Sequence, residues 1–151
     1  LLVVSAGTAT VIDGLRLTLD SSANRCLEFL GGYISPGLLQ LQTVLARGTA
    51  DLGALMRGRD LPQKERRMKG FIDWPTESAE AIAAGVEMAQ LAPLAWIPRP
   101  DGILVHGGAA QEWMDAFGRR VARHWNCPVE HCPDLIFRGL RQALADSFDI
   151  D

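Results

Sequence analysis

The chain contains no long hydrophobic run. Its 151 residues hold no apolar stretch that reaches the roughly 18 residues a membrane span needs. The apolar run Leu1–Val4 is too short for a signal peptide and has no basic flank. These absences predict a protein without a membrane partner that works in the cytoplasm.

An excess of positive charge is also missing. There are 15 Lys and Arg residues against 18 Asp and Glu, and the formal net charge is −3. Broad nucleic-acid binding needs a concentrated basic face, so we expect no direct nucleic-acid partner. The one dense basic run, Gln63–Gly70, is diluted by Glu65, and a solvated loop is the favoured interpretation.

Cysteine is scarce. Three cysteines form no even framework, which favours a reducing compartment. The segment CPVEHC places Cys127, His131 and Cys132 close together, which leaves two interpretations open. One is a metal site, but structural zinc prefers four well-spaced ligands, and the adjacent His131 and Cys132 cannot easily face one ion. The other, which we favour, is a pair of buried thiols.

The composition that remains is that of one globular domain, with 48% apolar and 22% charged residues. The chain has no initiator methionine and opens directly on the strand-like run Leu1–Val4. We therefore expect a fragment, or the visible part of a longer chain.

The sequence predicts β structure in the first quarter of the chain, up to Gly37. Leu1–Val4 and Thr10–Ile12 are predicted strands joined by a tight turn at Ala6–Thr8, and the alternating RLTLD segment extends the sheet. A third strand is expected from Arg25, with a break at Gly31-Gly32 and an end at Pro36-Gly37. The prediction is an antiparallel meander.

Helical spacing appears from Leu38 onward. A long loop is expected over residues 47–74, and the next helix should begin near Pro75 with Thr76 or Ser78 as its cap. The predicted helices are Leu38–Leu45, Ala79–Met88, residues 109–125 and a final helix over residues 135–148. Two short strands are also predicted, one in DGILVHGG that ends in the double glycine and one within residues 127–134. This order predicts a mixed α/β domain.

Two glycine turns are candidate binding elements. The turn Ser5–Thr10 combines Gly7 with small hydroxyl residues, a chemistry that suits phosphate; the alternative is a plain hairpin turn with glycine at positive φ. Gly107-Gly108 follows a strand and precedes a helix, where ligands sit in open α/β sheets. The alternative for this pair is a tight strand-to-helix connection.

Five segments occur in an order that resembles the type III pantothenate kinase family, which includes the Bvg accessory factor proteins. They are GTATVID, GGYISPGL, SAEAIAAG, HGGAA and CPDLIFRGL. The resemblance implies a ribonuclease-H-like fold of the actin and sugar-kinase superfamily, with two domains and ATP in the cleft. It implies that residues 1–151 are the second, C-terminal domain, and that the N-terminal domain is absent from this chain.

The resemblance also implies site residues. Gly7 and Thr8 would contact ATP phosphates, and Gly107 and Gly108 would line the adenine pocket. Ser5 stands where the family has an aspartate that binds K⁺ or NH₄⁺, so Ser5 is the candidate metal ligand. Ser78 would contact pantothenate, with Thr76 as the alternative, and His106 replaces a family threonine. The catalytic aspartate belongs to a motif upstream of Leu1, so no catalytic residue is expected in this chain.

The implied function is an ATP-dependent pantothenate kinase that uses Mg²⁺ and a monovalent cation and acts as a homodimer. The apolar faces of Leu38–Leu45 and Ala79–Met88 are candidate dimer surfaces, with core packing as the alternative for both. A second hypothesis is a Bvg accessory factor-like regulator that acts indirectly on transcription, with weak or no kinase activity. A third is a non-catalytic actin-like fold.

Overall fold

A computed structural model describes residues 1–48 and 74–148. Its sheet has five strands in the order β3-β2-β1-β4-β5. The strands are β1 (Leu2–Ala6), β2 (Ala9–Leu19), β3 (Arg25–Pro36), β4 (Ile103–His106) and β5 (Val129–His131). The helices are α1 (Leu38–Gly48), α2 (Ser78–Leu91), α3 (Ala110–Trp113), α4 (Arg119–Trp125) and α5 (Leu135–Phe148). A 3₁₀ segment (Ala92–Trp96) follows α2, and a π-helical turn (Met114–Gly118) joins α3 to α4.

The sheet is mixed, as predicted. Leu1 and Leu15 exchange backbone hydrogen bonds of 3.1 and 2.9 Å, the pattern of an antiparallel pair. By contrast, β1 pairs with β4 in parallel, with Ser5 beside His106, and β4 pairs with β5 in parallel. The antiparallel start and the α/β class are therefore confirmed.

One strand prediction was confirmed and one was wrong. The second strand runs without interruption over Ala9–Leu19, so the RLTLD segment extends the sheet as predicted. The third strand ends at Pro36, as predicted, but it runs through Gly31-Gly32 without the predicted break. Gly31 takes a φ of +114°, which glycine adopts without strain. At Gly32 an added Cβ would overlap Asp13 Oδ1 and lie 2.7 Å from the Ile12 carbonyl oxygen. The glycines thus allow close strand packing instead of ending the strand.

The chain divides into two compact units. The sheet unit comprises Leu1–Gly7, Val11–Tyr33 and, in its described part, residues 99–148. The helical unit comprises Thr8–Thr10 and the described part of residues 34–98. Residues 49–73, which include most of the predicted loop and the whole basic run, lie outside the described residues.

The sheet unit has an apolar core built on one helical stripe. The sequence places large side chains four residues apart, and all of them are buried at 8% exposure or less: Trp113, Phe117, Val121 and Trp125. The rings of Trp113 and Phe117 meet edge to face at 5.5 Å. The burial of these four residues confirms the predicted apolar face of the helix over residues 109–125. A π-helical turn interrupts this helix at Met114–Gly118.

Helix α2 supplies the core of the helical unit. Ile82, Val86 and Gln90 recur every four residues along α2 and are buried, as is Leu94 beyond the helix end. Core packing therefore accounts for the buried face of α2. The predicted cap was wrong: the N-cap residue is Glu77, with φ −110° and ψ 143°, and no side-chain hydrogen bond caps the helix. Ser78 already lies in the helix, and Thr76 precedes the cap.

Candidate functional site

The turn after β4 lies against the end of β1. The Ala6 carbonyl accepts a hydrogen bond from the Ala109 N–H at 3.0 Å, and the Gly107 carbonyl accepts one from the Ala110 N–H at 3.1 Å. Gly107 has a φ of +107°, and an added Cβ would overlap the Ala6 carbonyl oxygen. Only glycine fits this position, so the tight strand-to-helix connection is a sufficient explanation of Gly107.

Gly108 differs from its neighbour. A Cβ added to Gly108 would meet nothing within 4 Å, and the residue is exposed. Packing within the described chain therefore gives no reason for glycine at this position. The backbone of Gly108 is exposed at the turn between strand and helix, and its role in a ligand site stays a prediction.

Thr8, in the turn between β1 and β2, is held by a hydrogen bond within the helical unit. Thr8 is exposed, but its carbonyl accepts a 2.8 Å hydrogen bond from the N–H of the buried Gly37. Among the described glycines a positive φ occurs at Gly31 and Gly107, so Gly7 is not required for a left-handed backbone. The turn directly joins the neighbouring strands β1 and β2, so the plain hairpin alternative stands without a positive φ at Gly7.

A buried amide holds the far end of this turn. The Thr10 hydroxyl donates to Gln90 Oε1 at 2.7 Å, and Gln90 Nε2 donates to the Pro36 carbonyl, also at 2.7 Å. The Ser35 hydroxyl donates to the Thr10 carbonyl at 3.4 Å. Our sequence reasoning missed Gln90. The available signal was an amide at the position that continues the buried Ile82–Val86 stripe.

Ser5 lies in β1 as the register partner of His106 in β4. Ser5 is half-buried, whereas His106 is 8% exposed. Within residues 1–48 and 74–148 no group of three or more His, Cys, Asp or Glu side chains is placed to hold a metal ion. Ser5 thus offers a single neutral side-chain oxygen, which is not by itself a metal site.

The pantothenate candidate lies on α2. Ser78 is the first residue of the helix, and its side chain is exposed. Gly85 is exposed on the same helix, and a Cβ there would meet nothing within 4 Å. Of the predicted site residues, Ser5, Gly7, Gly107 and Gly108 belong to the sheet unit, and Thr8 and Ser78 belong to the helical unit.

The cysteines match the thiol interpretation. Cys127 and Cys132 are buried at 8% and 7% exposure and unpaired, and Cys26 is exposed. The Cys132 thiol lies 3.6 Å from Glu130 Oε1. Burial, and after it the Glu130 carboxylate, raises the pKa of this thiol, which keeps it protonated and unreactive at neutral pH.

Comparison with known proteins confirms the family that the five sequence segments resemble. A model described as type III pantothenate kinase matches residues 1–95. A type III pantothenate kinase of Cupriavidus taiwanensis is 33% identical over 160 residues, which cover 97% of this chain and 50% of that protein. One from Nitrosospira multiformis is 36% identical over 148 residues, covering 92% and 45% respectively.

A solved structure supports the same fold. A protein described as a Baf family transcriptional activator from Campylobacter jejuni superposes with a TM-score of 0.59 over 97% of this chain and 57% of that one. The identity is 17%, so this likeness supports the fold alone. The chain belongs to the type III pantothenate kinase family. It spans about half the length of the curated relatives it matches.

No helix within residues 1–48 and 74–148 combines the length and the apolar character that a transmembrane crossing requires.

Proposed function

We propose that this chain is part of an ATP-dependent pantothenate kinase, which converts pantothenate to 4′-phosphopantothenate in the first step of coenzyme A biosynthesis. The observation that carries the proposal is the family match over residues 1–95, which includes the turn Ser5–Thr10 and Ser78. The relatives that bear this name share 30–37% of aligned residues with the chain.

The glycine turns receive the ATP roles in this proposal. The backbone at Gly7 and the hydroxyl of Thr8 hold the phosphates, for which the exposure of Thr8 is the structural support. The adenine ring lies against the backbone at Gly108, where an added Cβ has open space. Gly107 keeps this backbone close to the end of β1 and is assigned to the same pocket.

Ser78 receives the substrate role. Its hydroxyl is exposed at the first residue of α2, and the backbone N–H groups of a first helical turn lack partners within the helix. We propose that the hydroxyl donates to a polar group of pantothenate. Thr76 is the alternative, since it also is exposed.

Phosphoryl transfer depends mainly on positioning and on stabilising negative charge, so a chain of this kind contributes by orienting ATP and the acceptor hydroxyl. We propose that residues 1–151 correspond to the second of two actin-like domains and that the general base lies outside them. Mg²⁺ and K⁺ or NH₄⁺ are proposed to accompany ATP, with Ser5 as a neutral ligand. Within the described residues no group of three or more His, Cys, Asp or Glu side chains could hold a metal ion beside it.

The test is product formation by the full-length protein. Incubation with ATP and pantothenate should yield 4′-phosphopantothenate, detected by mass spectrometry. Ser78→Ala should raise the KM for pantothenate about tenfold, the effect of losing one hydrogen bond to substrate, with the KM for ATP unchanged. Ser147→Ala is the matched control because Ser147 is exposed on α5 and bonds to the Ala143 carbonyl.

Absence of product from folded protein that binds ATP would overturn the kinase proposal and favour the regulatory alternative. An unchanged KM for pantothenate in Ser78→Ala, together with a raised one in Thr76→Ala, would move the substrate role to Thr76. The homodimer is proposed from the family resemblance and is tested by sedimentation of the same preparation.

A further inference from the structure

Gln90 is a buried polar residue to which the proposed function gives no role. It is 1% exposed and lies in a stripe whose other members, Ile82 and Val86, are apolar. A buried primary amide is costly unless its hydrogen bonds are made, and a leucine of similar size would fill the same space without that cost. The position therefore calls for a reason beyond packing.

The bonds of Gln90 define its orientation. The Pro36 carbonyl can only accept a hydrogen bond, so it must face the NH₂ group, which donates at 2.7 Å. The Oε1 atom then faces Thr10, whose hydroxyl donates at 2.7 Å. One side chain on α2 thus links the beginning of β2 to the end of β3.

These links converge on the segment Thr8–Thr10. Its first residue is held by the Gly37 N–H and its last by Gln90 and Ser35. Thr10 itself is 2% exposed, whereas Thr8 is exposed. The segment is therefore held at both ends, with Thr10 buried inside the unit and Thr8 exposed.

We propose that Gln90 is a positioning residue for the phosphate-binding turn: through Thr10 it sets the geometry of Thr8 and hence the affinity for ATP, without contacting ATP. The inference rests on the proposed phosphate role of Thr8. Its physical basis is that a turn held at both ends has less freedom to lose when an anion binds. If Gln90 only filled the core, its substitution would change the stability of the protein without a selective effect on the affinity for ATP.

The experiment measures ATP binding by calorimetry and both KM values on the full-length protein. Gln90→Met removes both hydrogen bonds at similar volume, and Thr10→Val removes the hydroxyl at constant shape. Each should weaken ATP binding about tenfold, the effect of one buried hydrogen bond. The KM for pantothenate should stay within about twofold of the wild-type value, because the segment Thr8–Thr10 is proposed to bind ATP and not pantothenate.

Two further variants sharpen the assignment. Thr10→Ser keeps the hydroxyl and should restore ATP affinity to within about twofold of the wild type, since the hydrogen bond to Gln90 remains possible. The double variant Thr10→Val/Gln90→Met should be about as weak as the weaker single variant, because both remove the same link. Gln142→Met is the control: its amide is exposed on α5 and bonds to Asp146.

Several outcomes would overturn the inference. These are unchanged ATP affinity in a folded Gln90→Met, equal changes in both KM values, or a double variant whose loss is the product of the single losses. If Gln90→Met does not fold, Thr10→Val decides alone. ATP binding without pantothenate phosphorylation would overturn the kinase proposal. The ATP affinities of the Gln90 and Thr10 variants would then decide this inference. No ATP binding by the wild type would contradict both.

Discussion

The two glycine turns of this chain are held in different ways. The turn at Gly107 is held by main-chain contacts. The Ala109 N–H donates a hydrogen bond to the Ala6 carbonyl, and the space at Gly107 is too small for any Cβ. At Thr8–Thr10 side chains contribute as well, through the amide of Gln90 and the hydroxyls of Thr10 and Ser35. Both turns depend on distant parts of the chain, the first through the main chain of Ala6 and the second through the side chain of Gln90, 80 positions from Thr10.

This difference indicates how each turn responds to change. A turn fixed by main-chain contacts loses its shape only if its own glycine is replaced, and then the loss is large. A turn fixed by side chains can be altered in steps, through substitutions that leave its own sequence intact. The proposed phosphate turn belongs to the second kind, and the proposed adenine turn belongs to the first.

The largest expected effect is at Gly107. Gly107→Ala should lower the free energy of unfolding by about 3 kcal/mol, because it combines a φ of +107° with overlap on the Ala6 carbonyl. Denaturant unfolding of the full-length protein measures the loss. The matched control is Gly108→Ala, expected within about 1 kcal/mol of the wild type because its Cβ has open space. Equal losses in both variants would contradict the main-chain account.

The next largest loss of stability is expected at Gln90, whose side chain holds the segment Thr8–Thr10. Gln90→Met should cost about 2 kcal/mol, since it leaves the buried Thr10 hydroxyl and the Pro36 carbonyl without their partner. Thr10→Val should cost less, because it removes one bond and leaves Gln90 bonded to Pro36. The same unfolding measurement checks both. A cost for Thr10→Val above that for Gln90→Met would show that the amide is not the centre of the network.

A bulky residue at Gly108 should separate function from stability. Gly108→Val should weaken ATP binding about tenfold by covering the open backbone, while the unfolding midpoint changes little because nothing lies within 4 Å of the Cβ position. Titration calorimetry with ATP measures the first effect and thermal unfolding the second. Normal ATP affinity in Gly108→Val would remove this residue from the adenine site.

The smallest effect concerns the turn between β2 and β3, a solvent-exposed turn also held by a side chain. Hydrogen bonds from the Asn24 backbone and side chain, and then from the Ser22 backbone, lower the pKa of the Asp20 carboxyl. Because the folded-state pKa is depressed, the stabilisation is present above the unfolded-state value. It is lost as the pH falls through the folded-state value.

An NMR titration of the Ser22 and Asn24 amides should report this step below the ordinary carboxyl pKa, and Asp20→Asn should abolish it. Titration of those amides at the ordinary value would contradict the assignment of their hydrogen bonds to Asp20.

Local pattern predicted much of the fold. The stripe from Trp113 to Trp125 has a helical period, so its burial follows from the sequence despite the π-helical turn between. The final helix, predicted over residues 135–148, is observed as Leu135–Phe148. The strand predictions failed at Gly31-Gly32, where glycine usually indicates a break, because close packing against Asp13 requires glycine inside the strand.

The sequence pattern did not predict which distant parts of the chain pair with each other. The parallel register of Ser5 with His106 joins distant parts of the chain, and periodicity within either strand does not name its partner. The same holds for Gln90: its place in the α2 stripe predicts burial, but Thr10 as its partner follows only from the folded arrangement. The predicted site residues came from the family resemblance. They remain predictions until binding is measured.

The most direct test of the central claim is the ATP affinity of Thr8→Val in the full-length protein, with Thr8→Ser as its control. Thr8 is exposed, so the unfolding midpoint should not change. The account predicts that ATP binding weakens about tenfold in Thr8→Val and is retained in Thr8→Ser, because one hydroxyl donor to phosphate is lost and kept respectively. Equal ATP affinity in wild type and Thr8→Val would contradict the assignment of this turn to phosphate.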